Sequence, residues 1–334
     1  MTTEIASGQT PKSTIQNPKL NYTPPFLLFN PHLETIYPAL VRRVSLQPYI
    51  RERITTPDND FLDLDWLRQN SSKLVIISHG LEGNTQRAYI KGMARIFFQN
   101  GFDVLTWNYR GCSEEMNRQL RFYHSGATDD LNTVVEHALS QQMHQEIYLV
   151  GFSLGGNLTL KYLGESRART PLIKKAVAFS VPVDLHTSCL QISKPGNWVY
   201  SNRFLKSLKK KVLQKAQSIK ELDTQGIDRV KTLMEFDDHF TGPVHGFKNA
   251  LDYYEKSSAI KYMAGISVPT LMVNAKNDPF LSPECFPVEQ FRQHSFIQIE
   301  TPKHGGHVGF ARFNSDNIYW SEERALRFIA DNQT

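Results

Sequence analysis

From about residue 60 onward, hydrophobic positions follow two different spacings. Residues 61–67 (FLDLDWL) alternate apolar and polar side chains, which is typical of a strand with one buried face. Residues 74–78 form a short apolar run that predicts a strand buried on both faces. Residues 88–99 carry apolar side chains at helical spacing and end at Asn100-Gly101, a common signal for the end of a helix.

The same alternation continues through the middle of the chain and returns near its end. Further strands are predicted at 102–107, 146–150, 174–180, 268–275 and 296–299, and further helices at 129–139 and 157–163, with 326–329 in a closing helix. Strands that alternate with helices imply a mostly parallel sheet with helices on both faces. We therefore expect an α/β fold built on such a sheet.

Between about residues 185 and 262 the alternation lapses. This stretch is helical, basic and aromatic and lies between two strands of one sheet, which favours an inserted lid over a separate domain. The predicted organisation is a flexible tail at 1–20, a first core segment at 21–184, a helical lid at 185–262 and a second core segment at 263–334. At the start of the core, residues 23–43 contain too many prolines for one long helix, and their apolar side chains are expected to pack on the main body.

Composition excludes several classes of protein. The chain has 334 residues, 40% of them hydrophobic and 21% charged, which permits a sizeable core and argues against general disorder. A net charge of +5 is mild for this length, so no nucleic-acid partner is expected. No apolar stretch reaches the roughly 18 residues that a transmembrane segment needs, and because the N-terminus is polar we expect no secretory signal. We expect a cytoplasmic protein with reduced thiols at Cys112, Cys189 and Cys285.

The strongest chemical signal is the pentapeptide Gly151-Phe152-Ser153-Leu154-Gly155. It has the pattern G-x-S-x-G and lies between an apolar strand and a helical run. A nucleophile on such a turn has strained backbone angles, and its small neighbours let the chain reverse direction. The turn exposes the serine hydroxyl above the sheet. We interpret Ser153 as a nucleophile. A plain glycine-rich turn is the alternative, and phosphate binding is disfavoured because no phosphate-loop motif follows a strand here.

A serine hydroxyl becomes a good nucleophile when a neutral imidazole accepts its proton. Two histidines follow the last predicted strand, His304 and His307, in the sequence His-Gly-Gly-His-Val-Gly. We favour His307, which has glycines close on each side, over His304, which follows the bulky Lys303. A metal site of the His-x-x-His type would need further ligands, and no third one is evident, so no metal and no cofactor is predicted.

The imidazole in turn needs a carboxylate that orients it. Asp278 follows a predicted strand and lies between Ser153 and His307 in chain order, as in folds with the order Ser, Asp, His. Asp184, after the preceding strand, is the alternative. Asp129 and Asp130 open a predicted helix and are expected to cap its N-terminus.

An oxyanion hole needs two backbone donors, one after the nucleophile and one in the loop after an early strand. Those donors would be the N–H groups of Leu154 and Leu81, with Gly80 and Gly83 leaving room. His79 is expected to have a structural role in this loop.

Several motifs that are far apart in the chain occur together. They are His79-Gly-Leu-Glu-Gly-Asn, Asn108-Tyr-Arg-Gly-Cys, Gly151-Phe-Ser-Leu-Gly-Gly-Asn, Asn277-Asp-Pro-Phe and His304-Gly-Gly-His-Val-Gly-Phe, with Pro31-His-Leu-Glu-Thr near the start and Phe236-Asp-Asp-His-Phe-Thr in the predicted lid. Together they resemble the YheT/EMB8-type α/β-hydrolases, which are relatives of abhydrolase-domain proteins 1 and 3. The resemblance implies an α/β-hydrolase fold, a charge-relay set of Ser153, Asp278 and His307, and hydrolysis of carboxylic esters.

The sequence therefore predicts a serine carboxylesterase that acts on a small-molecule or lipid ester. Two alternatives are a lipase or phospholipase that acts at membrane surfaces and a catalytically silent binding protein on the same fold. The predicted lid carries a run of basic residues, which is either a solvated helix face or a site of peripheral membrane contact. These residues are Arg203, Lys206, Lys209, Lys210, Lys211, Lys215 and Lys220. The sequence indicates no oligomeric state.

Overall fold

A single sheet organises the protein. The computed structural model describes residues 22–167 and 170–331, so the tail predicted at 1–20 lies outside the described residues. The strands found there are β1 (Ile50–Thr55), β2 (Phe61–Leu67), β3 (Lys73–Ser78), β4 (Asp103–Asn108), β5 (Glu146–Phe152), β6 (Ile173–Phe179), β7 (Thr270–Val273) and β8 (Ile297–Glu300). Their order across the sheet is β1-β2-β4-β3-β5-β6-β7-β8. The pairs that involve β2 are antiparallel and the others are parallel, which confirms the mostly parallel sheet.

Helices flank the sheet and also fill the stretch between β6 and β7. They are α1 (Pro31–Leu40), α2 (Ala88–Gln99), α3 (Thr128–Ser140), α4 (Leu154–Gly164), α5 (Leu185–Ile192), α6 (Trp198–Ala216), α7 (Leu233–Phe236), α8 (Gly242–Val244), α9 (Ala250–Ser257) and α10 (Trp320–Ala330), with a π-helical turn at Asp237–Thr241. Helix α2 has the predicted bounds. Helix α4 begins earlier than predicted, because the turn at Ser153 leads directly into it.

The two faces of the sheet are covered by different helices. Along β3, Leu74 and Ile76 join the apolar cluster that contains side chains of α3 and α4. Val75 and Ile77, which point the other way, join the cluster with α2 and α10. Successive side chains of a strand point to opposite faces, so a continuous apolar run is stable only between two helical layers. Each such buried side chain contributes about 2 kcal/mol of hydrophobic free energy.

Strand β2 departs from the prediction, because both of its faces are buried rather than one. Its two acidic side chains, Asp63 and Asp65, are 2% and 1% exposed. Arg53 on β1 binds Asp63 with its Nε at 2.7 Å, and Arg51 binds Asp65 with its Nε at 2.5 Å. The edge strand β1, which the sequence analysis missed, thus supplies the cations that allow the polar face of β2 to be buried.

The proline-rich segment before the core is only partly packed, contrary to the prediction. Leu28 is 3% exposed and lies in a small apolar cluster. Phe26 and Phe29 are 86% and 77% exposed. Helix α1 begins just after them, since the Asn30 side chain accepts the Leu33 N–H at the helix N-terminus.

The chain between β6 and β7 runs through α5 to α9, and we call this stretch the insertion. It starts at Leu185, where the lid was predicted to start, and short 3-10 turns connect it to β7. Its helices bury an apolar cluster of their own, which includes Phe122 and Phe280 from the sheet domain. Opening of the insertion as a lid stays a prediction. Within residues 22–167 and 170–331, no helix combines the length and apolar character needed to cross a bilayer.

Candidate active site

Ser153 lies at the sharp turn between β5 and α4. Its backbone angles are φ 54° and ψ −118°, a conformation that is costly for a residue with a side chain. A Cβ atom at Gly155 would lie 2.5 Å from the His79 carbonyl oxygen, and one at Gly151 would lie 2.3 Å from the Gly155 carbonyl oxygen. Backbone contacts therefore require glycine on both sides of the serine, for the reason that the pentapeptide suggested.

His307 connects this serine to a carboxylate. The distance from His307 Nε2 to Ser153 Oγ is 2.9 Å. On the other side of the ring, Nδ1 lies 2.8 Å from Asp278 Oδ2 and 3.1 Å from Oδ1. The structure thus brings together the three side chains that the sequence analysis selected, within hydrogen-bonding distance of each other.

The hydrogen-bond pattern orients the imidazole of His307. A carboxylate only accepts hydrogen bonds, so the Nδ1–H of His307 donates to Asp278 and Nε2 is left to accept the Ser153 hydroxyl. The Phe280 ring lies against the imidazole with 4.1 Å between ring centroids. Asp278 is 4% exposed and Ser153 is 9% exposed, so this chain of hydrogen bonds is largely shielded from water. Such shielding strengthens electrostatic interactions.

Neither of the alternative residues joins this group. The His304 side chain is 48% exposed, and its Nδ1 lies 3.3 Å from Glu34 Oε1. Asp184 instead caps α5, where its carboxylate accepts the Thr187 N–H at 3.0 Å. The geometry therefore favours His307 and Asp278 over His304 and Asp184.

The prediction that Asp129 and Asp130 cap a helix is wrong. The N-cap of α3 is Ala127, and no side chain accepts a capping hydrogen bond there. Asp130 binds the guanidinium of Arg110 with a distance of 2.7 Å to Nη2, and Asp129 binds Arg121 at the same distance. Both carboxylates lie in the first turn of α3, where the helix dipole favours negative charge, but their hydrogen bonds go to arginines, which are the stronger donors.

The loop after β3 lies beside the serine. A Cβ atom at Gly80 would lie 3.2 Å from Ser153 Cβ, so the two segments touch. The Gly80 N–H donates to the Tyr89 hydroxyl at 2.9 Å, and the Glu82 N–H donates to the Tyr123 hydroxyl at 3.0 Å. The N–H groups on either side of Leu81 therefore already have partners within the protein.

His79 has the structural environment that was expected. Burial lowers the pKa of its imidazole to about 3, so the ring is neutral at ordinary pH. Nδ1 lies 2.8 Å from the Gly80 carbonyl oxygen, and Nε2 accepts the Tyr109 N–H at 3.3 Å. These two contacts hold the loop that contains Leu81.

A cavity of about 470 Å³ opens beside Ser153 and His307. Its walls come from α1, the loop after β3, the turn at the serine and the insertion, and Leu81 and Leu154 are among its lining residues. Most other lining side chains are apolar or aromatic, including Leu185, Ile192, Phe204, Leu208, Tyr253 and Tyr254. In the described part of the chain, no group of three or more His, Cys, Asp or Glu side chains is arranged to hold a metal ion. The cavity suits an organic ligand with a sizeable apolar portion.

The contacts that support the His307 loop could not be predicted from local sequence patterns. The His307 N–H donates to Thr35 Oγ1 at 2.9 Å, and the Val308 N–H donates to Ser180 Oγ at 2.9 Å. Thr35 belongs to the Pro31-His-Leu-Glu-Thr motif, which had been noted only as part of a resemblance. That motif was the available signal, but nothing local in it points to a histidine far away in the chain.

Comparison with known proteins shows the family of the chain. The family model described as serine aminopeptidase, S33 (Hydrolase_4), matches residues 69–294. The chain is 33% identical over 290 residues to YheT of Escherichia coli (strain K12), a protein provisionally named an esterase, and the match covers 84% of each chain. The chain belongs to the YheT-type α/β-hydrolases.

Two further similarities concern the sequence and the fold of this α/β-hydrolase. Phospholipase ABHD3 of Bos taurus is 29% identical over 288 residues, with 83% of this chain and 70% of the relative covered. The solved structure of the Pyrococcus furiosus esterase Pf2001 superposes with a TM-score of 0.58 at 17% identity, and the match covers 86% of this chain and 96% of that one. The second similarity shows the fold, while the first relates the sequence to lipid-cleaving enzymes. The protein is therefore an enzyme of the esterase and lipase type.

Proposed function

We propose that this α/β-hydrolase is a serine carboxylesterase that uses Ser153, His307 and Asp278 as its catalytic triad. The observation that carries the proposal is the 2.9 Å contact between Ser153 Oγ and the acceptor nitrogen of His307. His307 takes the proton of the Ser153 hydroxyl as Oγ attacks the ester carbonyl carbon. Asp278 holds the ring in its tautomer and stabilises the imidazolium that forms.

The tetrahedral intermediate needs donors for its negative oxygen. The N–H groups of Leu154 and Leu81 are proposed for this role, because both residues line the cavity at Ser153 and the neighbours of Leu81 have partners elsewhere. Collapse of the intermediate breaks the bond to the alcohol oxygen, which leaves with the proton from His307. Water, deprotonated by His307, then attacks the acyl carbon. The bond to Ser153 Oγ breaks, His307 returns the proton to Oγ, and the carboxylic acid is released.

The decisive experiment combines ester hydrolysis with active-site labelling. The parent protein should hydrolyse p-nitrophenyl butyrate and react covalently with a fluorophosphonate probe. Ser153→Ala should abolish labelling, and Ser153→Ala, His307→Gln and Asp278→Asn should each lower kcat by about 10⁴-fold or more. Ser218→Ala, at an exposed serine, is the control and should behave as the parent.

Two results would contradict the proposal. Hydrolysis by Ser153→Ala at the parent rate would remove Ser153 as the nucleophile. A parent protein that neither reacts with the probe nor hydrolyses any ester would support the alternative of a silent binding protein on a hydrolase fold.

A second candidate function is hydrolysis of lipid esters at a membrane surface. Leu40 and Val199 line the cavity and are 68% and 62% exposed. Exposed apolar side chains at the opening of an apolar cavity favour contact with a lipid surface. The basic residues of α6 are weaker evidence for membrane contact, because two of the lysines have partners inside the protein. Lys215 is buried and donates to three backbone carbonyls, while Lys211 pairs with Glu82.

Activity on aggregated substrates tests this second candidate. The rate should rise sharply above the critical micelle concentration of a short-chain phospholipid, and Leu40→Ser with Val199→Ser should remove that rise. The same double variant should hydrolyse monomeric p-nitrophenyl butyrate within about threefold of the parent. A rate that increases smoothly through the micellar transition would contradict this second candidate function. The proposal of a carboxylesterase that acts on soluble esters would then be the one that remains.

A further inference from the structure

Glu34 is a buried acidic residue far from the triad in sequence. It lies in the first turn of α1 and is 1% exposed. Within residues 22–167 and 170–331 no lysine or arginine forms an ion pair with it, and its one ionisable partner is the half-exposed His304. Burial of a carboxylate without a close cation is costly, so the contacts that it does make need an explanation.

The Glu34 carboxylate binds two loops at once. Its Oε2 accepts the Gly305 N–H, in the loop that carries His307. Its Oε1 accepts a hydrogen bond from Asn277 Nδ2 at 2.8 Å, in the loop that carries Asp278. The Asn277 side chain closes the ring of contacts, since its Oδ1 accepts the Gly306 N–H at 3.1 Å.

Two further contacts join the start of α1 to the same loop. Thr35 Oγ1 accepts the N–H of His307 itself at 2.9 Å and donates to the Pro31 carbonyl at 2.7 Å. A Cβ atom at Gly309 would lie 2.2 Å from the Glu34 carbonyl oxygen, so the glycine permits the close approach of helix and loop. The start of α1 therefore packs directly against the segment that aims the imidazole.

We propose that Glu34 is a positioning residue that sets the distance between Asp278 and His307. The inference rests on the proposed triad. Glu34 makes no hydrogen bond to the side chains of Ser153, His307 or Asp278, so it would act through the loops that carry them. One carboxylate binds the residue just before Asp278 and a residue two places before His307, so a change in its hydrogen bonds moves the acid and the base relative to each other.

A glutamine at this position cannot make the same contacts. The carboxylate uses both of its oxygens as acceptors, whereas an amide has one oxygen and one NH₂ group. If the amide oxygen accepts the Gly305 N–H, the NH₂ group faces the NH₂ group of Asn277. Rotation of the Asn277 amide would then turn its NH₂ group toward the Gly306 N–H. One donor–donor contact remains in every arrangement.

The pattern also defines a variant that should restore function. In the double variant Glu34→Gln with Asn277→Asp, the amide oxygen of the first side chain accepts the Gly305 N–H and its NH₂ group donates to the new carboxylate. The other oxygen of that carboxylate accepts the Gly306 N–H. The Gly305 N–H, the Gly306 N–H and the new amide group then all have acceptors, and the net charge equals that of the parent.

The experiment measures kcat and KM for p-nitrophenyl butyrate on folded protein. Glu34→Gln should lower kcat by 10- to 100-fold with KM within about twofold, because misplacement of catalytic groups by about 1 Å has effects of this size. The double variant should recover kcat to within about fivefold of the parent. Glu322→Gln is the matched control, since Glu322 is likewise 1% exposed but binds Arg42 and the Tyr319 N–H. It should lower thermal stability and leave kcat of the folded enzyme within about twofold.

Each outcome bears on one of the two proposals. If Ser153→Ala is inactive while Glu34→Gln keeps the parent kcat, the positioning role is wrong and the triad stands. If Glu34→Gln is slow and the double variant is no faster, the hydrogen-bond pattern is not the cause and the inference is also overturned. If Ser153→Ala remains fully active, the triad itself fails, whatever the Glu34 variants do.

Discussion

The ammonium group of Lys211 on α6 lies 2.6 Å from the carboxylate of Glu82. Glu82 belongs to the loop after β3, next to Leu81, so this ion pair joins the insertion to the proposed oxyanion loop. The two side chains are 13% and 9% exposed. Burial alone would raise the pKa of the Glu82 carboxyl, but the Lys211 ammonium and the hydroxyls of Ser207 and Tyr123 hold it below its ordinary value. The pair is therefore a stabilising contact between the two parts of the protein.

Removal of the Lys211 charge should destabilise the protein. Lys211→Met should lower the free energy of unfolding by about 2 kcal/mol at pH 7, because it leaves a mostly buried carboxylate without its cation. Since the pKa of Glu82 is lowered in the folded state, this contribution is present above the ordinary glutamate pKa and is lost as the pH falls through the folded value. Urea unfolding of parent and variant at a series of pH values, from pH 7 to about pH 3, measures the difference. Lys210→Met, at an exposed lysine, is the control.

Gly155 should not tolerate even the smallest side chain. An added Cβ would lie 2.5 Å from two backbone carbonyl oxygens, those of Ser78 and His79, and neither can move without distorting β3. Gly155→Ala should therefore destabilise the protein by about 3 kcal/mol or more and displace the serine turn. A Cβ at Gly196 has no neighbour within 4 Å. The free energy of unfolding of Gly196→Ala should therefore lie within about 1 kcal/mol of the parent value. Equal stability of the two variants in thermal unfolding would refute the contact argument.

Arg110 is the cation at the centre of a cluster of three aspartates. Its guanidinium binds Asp58, Asp60 and Asp130, and the last two are 0% and 2% exposed. Arg110→Met should lower the free energy of unfolding by about 3–5 kcal/mol, since it leaves the two buried carboxylates of Asp60 and Asp130 without their cation. Arg110→Lys should recover only part of this, because an ammonium cannot reproduce the planar fork of donors. Arg292→Met removes an arginine that is 72% exposed and should change stability by less than about 1 kcal/mol.

Asp237 makes stability depend on pH in the opposite direction from Glu82. Burial raises the pKa of the Asp237 carboxyl from 3.8 to about 6, although the hydroxyls of Thr241 and Tyr254 donate to it at 2.5 and 2.6 Å. Between these two pH values the folded protein binds more protons than the unfolded chain, so Asp237 lowers stability as the pH rises. The loss amounts to at most about 3 kcal/mol.

Replacement of Asp237 by asparagine should remove this dependence. The stability of Asp237→Asn relative to the parent should increase between pH 4 and pH 8, by at most about 3 kcal/mol. Urea unfolding across this range is the measurement, and Asp316→Asn, at an exposed aspartate, should show no such trend. A difference between variant and parent that stays constant with pH would contradict the raised pKa.

Local patterns predicted the parts of the fold that depend on local forces. The bounds of α2 follow from apolar spacing and from the Asn100-Gly101 signal, both of which lie within the helix or directly after it. The same patterns missed β1, because most of its side chains are exposed and three adjacent ones are charged, so it shows no apolar alternation. They also assigned one polar face to β2, because the arginines that cover Asp63 and Asp65 belong to that unrecognised strand.

Selection among the candidate site residues needed more than local pattern. Chain order and loop composition singled out His307 and Asp278, and the structure brings both of them to Ser153. No local signal indicated that Glu34 would contact the loops of both residues, because the contact joins segments that are more than two hundred residues apart.

By itself, the sequence determined which segments have the apolar spacing of a strand or a helix, and it determined the turn at Ser153. Both depend on residues that are near neighbours along the chain, through hydrophobic burial in one element and steric contact at a glycine in the other. Only the tertiary structure decided which charged groups are neutralised inside the protein, such as Lys211 by Glu82. The solvation free energy of a buried charge depends on whatever the fold packs around it, and those partners come from segments that are distant along the chain.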